Sequence, residues 1–347
     1  MKILITGNLG YVGPGVVQHF RKTFPSAELI GFDTGYFKIH YTETVYSSDR
    51  LLNQQIFGDV RNFPAALLQG VDAVVHLAAV SNDPMGNKFE QPTLDVNYGT
   101  TKKIAEMAKA AGVKRFVFAS SCSVYGFADD KPRIESSELN PLTAYAKSKV
   151  LSEQALEPLA TDDFVVTCLR FATACGASER LRLDLVLNDF VAGALTANAI
   201  SILSDGTPWR PLINVKDMPL AMEWGIMRDL SAGGNFIVVN AGSNRWNYQV
   251  KELADAVQSI VPNVAVTINT SAPPDKRSYR VSFDLFQQLA PLHQPKYELQ
   301  QTIKDLMECL KAINFNDPDF RKGQLMRLNA LNRLMENKLI NEQLYWI

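Results

Sequence analysis

The chain carries only four cysteines and four histidines in 347 residues. Cys122, Cys168, Cys175 and Cys309 form no CxxC pair and no short-spaced framework. A disulfide scaffold is therefore not expected; free, buried thiols in a reducing compartment are. His19, His40, His76 and His293 lie far apart, without the spacing that sets two imidazoles on one helix face. That removes a metal site from the expectations. Neither charge is in surplus: 35 Lys and Arg against 36 Asp and Glu leave −1, too little to make nucleic acid a main partner. No uncharged apolar run reaches about 18 residues. The opening MKILITG enters a strand at once, with no apolar stretch long enough for a signal peptide. The expectation is a soluble, cytoplasmic protein with no membrane or nucleic-acid partner.

What the sequence does have is alternation. Apolar content of 46% and charged content of 20% suit a globular chain, as one large domain or two smaller ones. Residues 2–6 are a short apolar run, the pattern of a buried parallel strand. A helix follows near 12–24, ended by Pro25, and a second strand at 28–32 closes on Asp33. Apolar runs at 73–77, 115–119 and 165–171 repeat the pattern, with an Ala/Lys/Glu helix at 100–111 stopped by Gly112. The fold class expected is α/β: a doubly wound, Rossmann-type parallel sheet with helices on both faces. After Phe171 the texture changes. Residues 181–199 have the pattern of one long amphipathic helix, 201–209 of a strand and a Gly/Pro turn, 236–240 of a strand, and 249–261 of a helix. The expected organisation is a dinucleotide domain over 1–171, with 213–240 folding back onto it. A substrate region is built from 172–212 and 241–312, and 313–347 is a helical extension. In that extension Leu325, Leu328, Leu331, Leu334, Leu339 and Leu344 recur mostly three to five apart, as on an amphipathic helix packing on its own subunit.

Three motifs carry chemistry. Gly7, Asn8, Leu9, Gly10, Tyr11, Val12 and Gly13 form a Gly-rich loop between the first strand and helix. Gly7 permits a tight turn, Gly10 lets backbone amides reach a pyrophosphate, and Gly13 lets the helix pack close to the strand. The helix N-terminus favours phosphate charge. Asp33 ends the second strand, where a carboxylate accepts both ribose hydroxyls and repels a 2′-phosphate; NAD is favoured over NADP. Tyr145 and Lys149, four apart, share one helix face. A lysine ammonium and a positive nicotinamide ring would draw the phenol toward neutral pKa, making Tyr145 a general base or acid. Lys149 would also hold the nicotinamide ribose.

The dinucleotide loop, the segment Ser121-Cys122-Ser123-Val124-Tyr125-Gly126 and the stretch 140–149 stand in that order. In this combination the chain resembles the extended short-chain dehydrogenase/reductase family over about residues 1 to 310. The likeness is to its nucleotide-sugar epimerases and dehydratases, and the motif pattern is nearest the UDP-glucose 4-epimerase-like enzymes. The resemblance implies adenine contacts from Asp59 and Val60, and a cofactor wall of Leu77, Ala78, Ala79 and Ser120. It also implies a supporting role for Asn97 and a catalytic hydroxyl on Ser121. Substrate contacts would come from Ser123, Tyr145, Thr173 and Asn188, and from Arg210 in Arg210-Pro211-Leu212-Ile213-Asn214-Val215-Lys216-Asp217. Arg277 would be a second arginine for the substrate diphosphate, with Arg280 competing. Related 4,6-dehydratases carry an acidic pair at the positions of Cys122 and Ser123, and decarboxylating relatives a glutamate at that of Ser123. This chain has the hydroxyl-rich pattern of 4-epimerases and 4-ketoreductases. The family also implies a nucleotide-diphosphate sugar as substrate and a homodimer through the helix bearing Tyr145. Residues 178–184 and Thr173 depart from the common pattern.

Overall fold

The computed structural model describes residues 1–38, 47–126, 131–271 and 278–347. Twelve strands are described: β1 Lys2–Thr6, β2 Glu28–Asp33, β3 Gln54–Phe57, β4 Ala73–His76, β5 Arg115–Ser121, β6 Val165–Phe171, β7 Thr173–Cys175, β8 Ala199–Ile202, β9 Trp209–Asn214, β10 Phe236–Ala241, β11 Asn247–Gln249 and β12 Ala265–Ile268. The helices are α1 Gly13–Thr23, α2 Asp83–Lys88, α3 Glu90–Leu94, α4 Thr100–Ala110, α5 Ala144–Leu156, α6 Val186–Ala197, α7 Met218–Met227, α8 Val250–Ile260, α9 Asp284–Leu289, α10 Leu299–Ala312 and α11 Arg327–Glu336.

Seven parallel strands form the main sheet in the order β10-β6-β5-β4-β1-β2-β3. Its central strands are apolar on both faces, as a sheet covered by helices on each side requires. Ile3 and Ile5 join Val16, Val17 and Phe20 of α1 and Met222 of α7 in one core. Leu4, between them, points the other way to Ile104, Ala105 and Ala108 of α4 and Leu156 of α5. Strand order reverses between β1 and β4, which opens a crevice at their C-terminal ends.

A smaller lobe holds two more sheets, β11-β9-β7 and β12-β8. Its core joins Leu187 and Val191 of α6 to Leu253 and Val257 of α8 and Ile303 and Leu306 of α10. Between its parts, α7 and β10 return to the main sheet, β10 pairing in parallel with β6.

Two expectations need correction. The helix foreseen over 181–199 is only Val186–Ala197. Residues 181–185 stay out of it because their polar groups are claimed from afar. Arg182 binds the Ser81 hydroxyl at 3.2 Å and the Leu183 amide donates to the carbonyl of Leu325. Asn198, at φ 49°, then ends the helix in the left-handed region. The extension beyond 313 is likewise not helical throughout. It contains α11 and a hook closed by an antiparallel bridge between Ile340 and Trp346. Leu331, Leu334, Ile340 and Leu344 bury themselves against Val80, Met85 and Phe89 around α2, whereas Leu339 is exposed. Cys122, Cys168 and Cys175 are buried free thiols and Cys309 is half-buried. No helix among the described residues is long and apolar enough to cross a membrane.

Candidate active site

A cleft of about 1290 Å³ runs along the crevice and into the smaller lobe. The Gly-rich loop forms its floor. Gly7, Gly10, Tyr11 and Val12 face it, whereas Asn8, Leu9 and Gly13 lie behind, holding loop to strand. Asn8 gives its amide to Gln55 at 2.5 Å and Leu9 is buried. A side chain on Gly10 would meet little protein, only the Gly7 carbonyl at 3.2 Å, so its absence keeps the cleft clear for a phosphate group. Asp33 accepts the Leu9 amide at 3.0 Å and the Gly35 amide at 2.6 Å, one on each oxygen. Each oxygen keeps a lone pair for a ribose hydroxyl. Burial pushes the pKa of Asp33 up, opposed by these two amides. The residues present therefore fit an adenine dinucleotide.

Val60, Leu77, Ala78, Ala79 and Ser120 line the same cleft. Asp59 does too, but its carboxylate is already held by Arg61, at 2.5 Å from one guanidinium nitrogen. Asn97 is buried outside it. It bonds both polar groups of the Val80 backbone, at 2.8 and 3.1 Å, and the Ser148 hydroxyl at 3.0 Å, tying the loop after β4 to α5. His76 is a packed histidine. Its nitrogens meet the hydroxyls of Thr6 and Thr101, and burial, then the Lys149 ammonium, lower its pKa to about 3.

Thr143 starts α5: its hydroxyl oxygen accepts the Ala146 amide at 3.2 Å and donates to Asp83 at 2.7 Å. That cap aims the first turn, and Tyr145 with it, into the cleft. Opposite, Ser121 ends β5 and accepts the Ser123 amide at 3.2 Å. The turn needs glycine at Gly126, where φ is +62° and a side chain would strike the Asn140 carbonyl at 1.9 Å. The Ser121 hydroxyl lies beside the phenol of Tyr145, and both line the cleft. The Ser123 hydroxyl faces the cleft, buried and with no partner among the described residues. In the protein alone the pKa of the Tyr145 phenol is set by its surroundings. Burial pushes it up to about 12, and Ser121 only partly offsets this. Lys149 is also buried, which lowers its own pKa to about 8. Beneath α5, Arg170 and Glu153 form a buried ion pair at 2.7 Å, and the Ser120 hydroxyl donates to Glu153.

On the substrate side, Thr173 and Arg210 line the cleft. Asn188 does not. It is fully buried and bonds the Gly176 amide, the Tyr11 hydroxyl and the Arg182 carbonyl, so it shapes the wall from behind. Arg277 lies outside the described residues. Arg280 stacks over Trp209 at 5.1 Å. Sequence reasoning missed several lining groups: Asp83, Arg182, Asp184 and, from the extension, Arg321, Met326, Arg327, Leu331 and Leu344. Only the departure of residues 178–184 from the common pattern hinted at Arg182 and Asp184.

Comparison with known proteins agrees with this geometry. Residues 3–242 match the NAD dependent epimerase/dehydratase family. A UDP-glucose epimerase of Bacillus subtilis, itself described as uncharacterized, is 28% identical over 225 residues, 62% of this chain and 70% of its own. The UDP-glucose 4-epimerase of Streptomyces lividans is 25% identical over 279 residues, 75% and 80% of the two chains. UDP-glucuronic acid decarboxylase 6 of Arabidopsis thaliana is 26% identical over 286 residues, 80% and 79%. The solved structure of a UDP-glucuronic acid 4-epimerase from Bacillus cereus, in complex with UDP-glucuronic acid and NAD, shares the fold. Its TM-score is 0.77 at 23% identity, over 90% of this chain and 99% of that one. The chain belongs to the NAD dependent epimerase/dehydratase family of enzymes, with NAD as cofactor.

Proposed function

We propose that the protein is a nucleotide-sugar 4-epimerase. The observation that carries this reading is the placement of Ser121 beside the phenol of Tyr145, in one cleft with the dinucleotide loop and Arg210. NAD supplies a hydride acceptor that becomes the donor in the return step. Tyr145 takes the proton of the sugar C4 hydroxyl and later returns it, Ser121 relays it, and Lys149 favours the phenolate. Arg210 holds the substrate diphosphate by paired charge-assisted bonds. Ser123, with its unpartnered hydroxyl, and Thr173 meet the sugar; Asn188 and Arg277 complete the expected substrate set. Cys122 supports an epimerase over a dehydratase. Its thiol turns into the core toward the Arg170 carbonyl, 3.1 Å away, so no acid stands there to eliminate water.

The test is incubation with UDP-linked hexoses, hexosamines and uronic acids, with no nucleotide added, followed by proton NMR. A C4-epimer pair approaching equilibrium from either side is the expected result. Turnover only of 4-keto sugars, consuming added NADH or NADPH mole for mole, would assign the same residues to a 4-ketoreductase, the second reading. The proposed assembly is a homodimer through α4 and α5, supported by Leu151 standing exposed on α5. A monomer in sedimentation equilibrium would overturn it.

A further inference from the structure

The extension from Met326 onward enters the cofactor cleft, and no motif accounts for that. Two observations show what it does there. The first is Arg327. Its side chain lines the cleft, is 1% exposed, and stacks over Phe37 at 4.1 Å. One terminal nitrogen donates to the Arg180 carbonyl at 2.7 Å; the other has no partner among the described residues. The buried arginines beside it have acids: Arg180 pairs with Asp49 at 2.8 Å and Arg182 with Asp184 at 2.5 Å. The Arg327 guanidinium forms no such pair among the described residues; Asp184, already paired with Arg182, accepts only its backbone amide, at 3.3 Å, and acts on the guanidinium through space, as do Tyr11 of the dinucleotide loop and Asp33 at the end of β2. A buried guanidinium with a spare donor needs an anion.

The second observation is the hook. The Leu344 carbonyl accepts from the Tyr36 hydroxyl and from Arg61. Arg61 is clamped between Asp59 and the Tyr345 ring, 3.4 Å from the ring centre. The Trp346 indole donates to the Thr34 backbone at 2.9 Å and its ring leans on Tyr36. Thr34, Asp59 and Leu344 border one cleft, so the hook is fastened to both segments expected around the adenosine.

We propose that residues 326–347 are a clasp on NAD. Arg327 supplies positive charge to the dinucleotide diphosphate, and the hook closes the adenosine end. The clasp rests on NAD as cofactor and not on which sugar is turned over. It stabilises retained NAD, the condition under which an oxidised sugar recovers its own hydride.

The test uses the full chain and no sugar. NAD released per chain after purification is measured by mass spectrometry, and exchange of bound NAD is timed against excess isotopically labelled NAD. The variants are Trp346→Ala, on a half-exposed side chain, and Arg327→Gln, each checked by circular dichroism and melting. The clasp predicts slow exchange in the parent and at least tenfold faster exchange in each folded variant. For Arg327→Gln, the loss should shrink as salt rises. Unchanged exchange in folded Trp346→Ala overturns the clasp. So does tighter binding, which would make the hook a competitor for the adenosine pocket. Should Arg327→Gln not fold, Trp346→Ala decides alone.

Discussion

The ammonium of Lys149 stands 5.6 Å from the ring centre of Tyr145 and donates to the Ala119 carbonyl at 2.7 Å, not to the phenol. Burial, only partly offset by Ser121, leaves the phenol with a pKa of about 12 in the protein alone. A phenolate at neutral pH then requires further positive charge in the cleft, the demand that an oxidised nicotinamide ring meets. Tyr145→Phe removes the proton acceptor and leaves the ring in place. The expected result is a fall in kcat on the order of 100-fold or more, with NAD content per chain unchanged. A near-native rate would refute the assignment.

Arg210 offers a different signature. Losing a guanidinium that holds a diphosphate costs about 1.5–3 kcal/mol of binding. Arg210→Ala should raise KM about 10- to 100-fold at 298 K while kcat changes little. Steady-state kinetics on the active sugar decides it, and an unchanged KM would remove Arg210 from the substrate site.

The pair Arg170–Glu153 is buried under α5 and also anchors Ser120 and Tyr125, whose hydroxyl lies 3.0 Å from Arg170. Arg170→Met strands a buried carboxylate and should cost about 3–5 kcal/mol, seen as a lower urea midpoint. Replacing both partners, Glu153→Leu with Arg170→Met, should cost less than Arg170→Met alone. If the double change were the worse of the two, the pair's cost would lie in packing and not in charge.

Acid should weaken the fold through His76. Its folded pKa of about 3 lies below the ordinary 6.5, so the unfolded chain binds a proton that the folded chain refuses. The stability it contributes is present above pH 6.5 and is lost as pH falls from there toward 3. The slope is at most about 1.4 kcal/mol per pH unit. Urea titrations of the parent and His76→Asn between those limits should differ in slope, the variant being flatter. Parallel lines would show that His76 does not refuse the proton.

The sequence made the main sheet legible because strands buried on both faces leave short apolar runs between turn signals. It also pointed to Gly10 and Asp33 by their places after strands, to Tyr145 by its helix spacing to Lys149, and to Ser121 through the family resemblance; the fold gathers all four in one cleft. It could not show Arg327 or Leu344. Their contacts lie far along the chain, at Arg180 and Tyr36, and a leucine spacing carries no information about such partners. Nor could it show that Asn188 turns away from the cleft, since the Gly176 and Arg182 groups it bonds are positioned by the tertiary fold. Helix spacing reveals the lysine four residues from Tyr145 but not the burial that pushes the phenol up to about 12 in the protein alone.

Phe171 and Ala241 are register partners at the ends of β6 and β10, and the Ala172 amide donates to the Ala241 carbonyl. The chain thus leaves the main sheet for the smaller lobe twice from one spot. Such an arrangement makes that lobe an exchangeable cassette. Changes within it leave the pairing of the main-sheet strands beside the dinucleotide loop untouched, so the two parts can vary separately on either side of a single doorway.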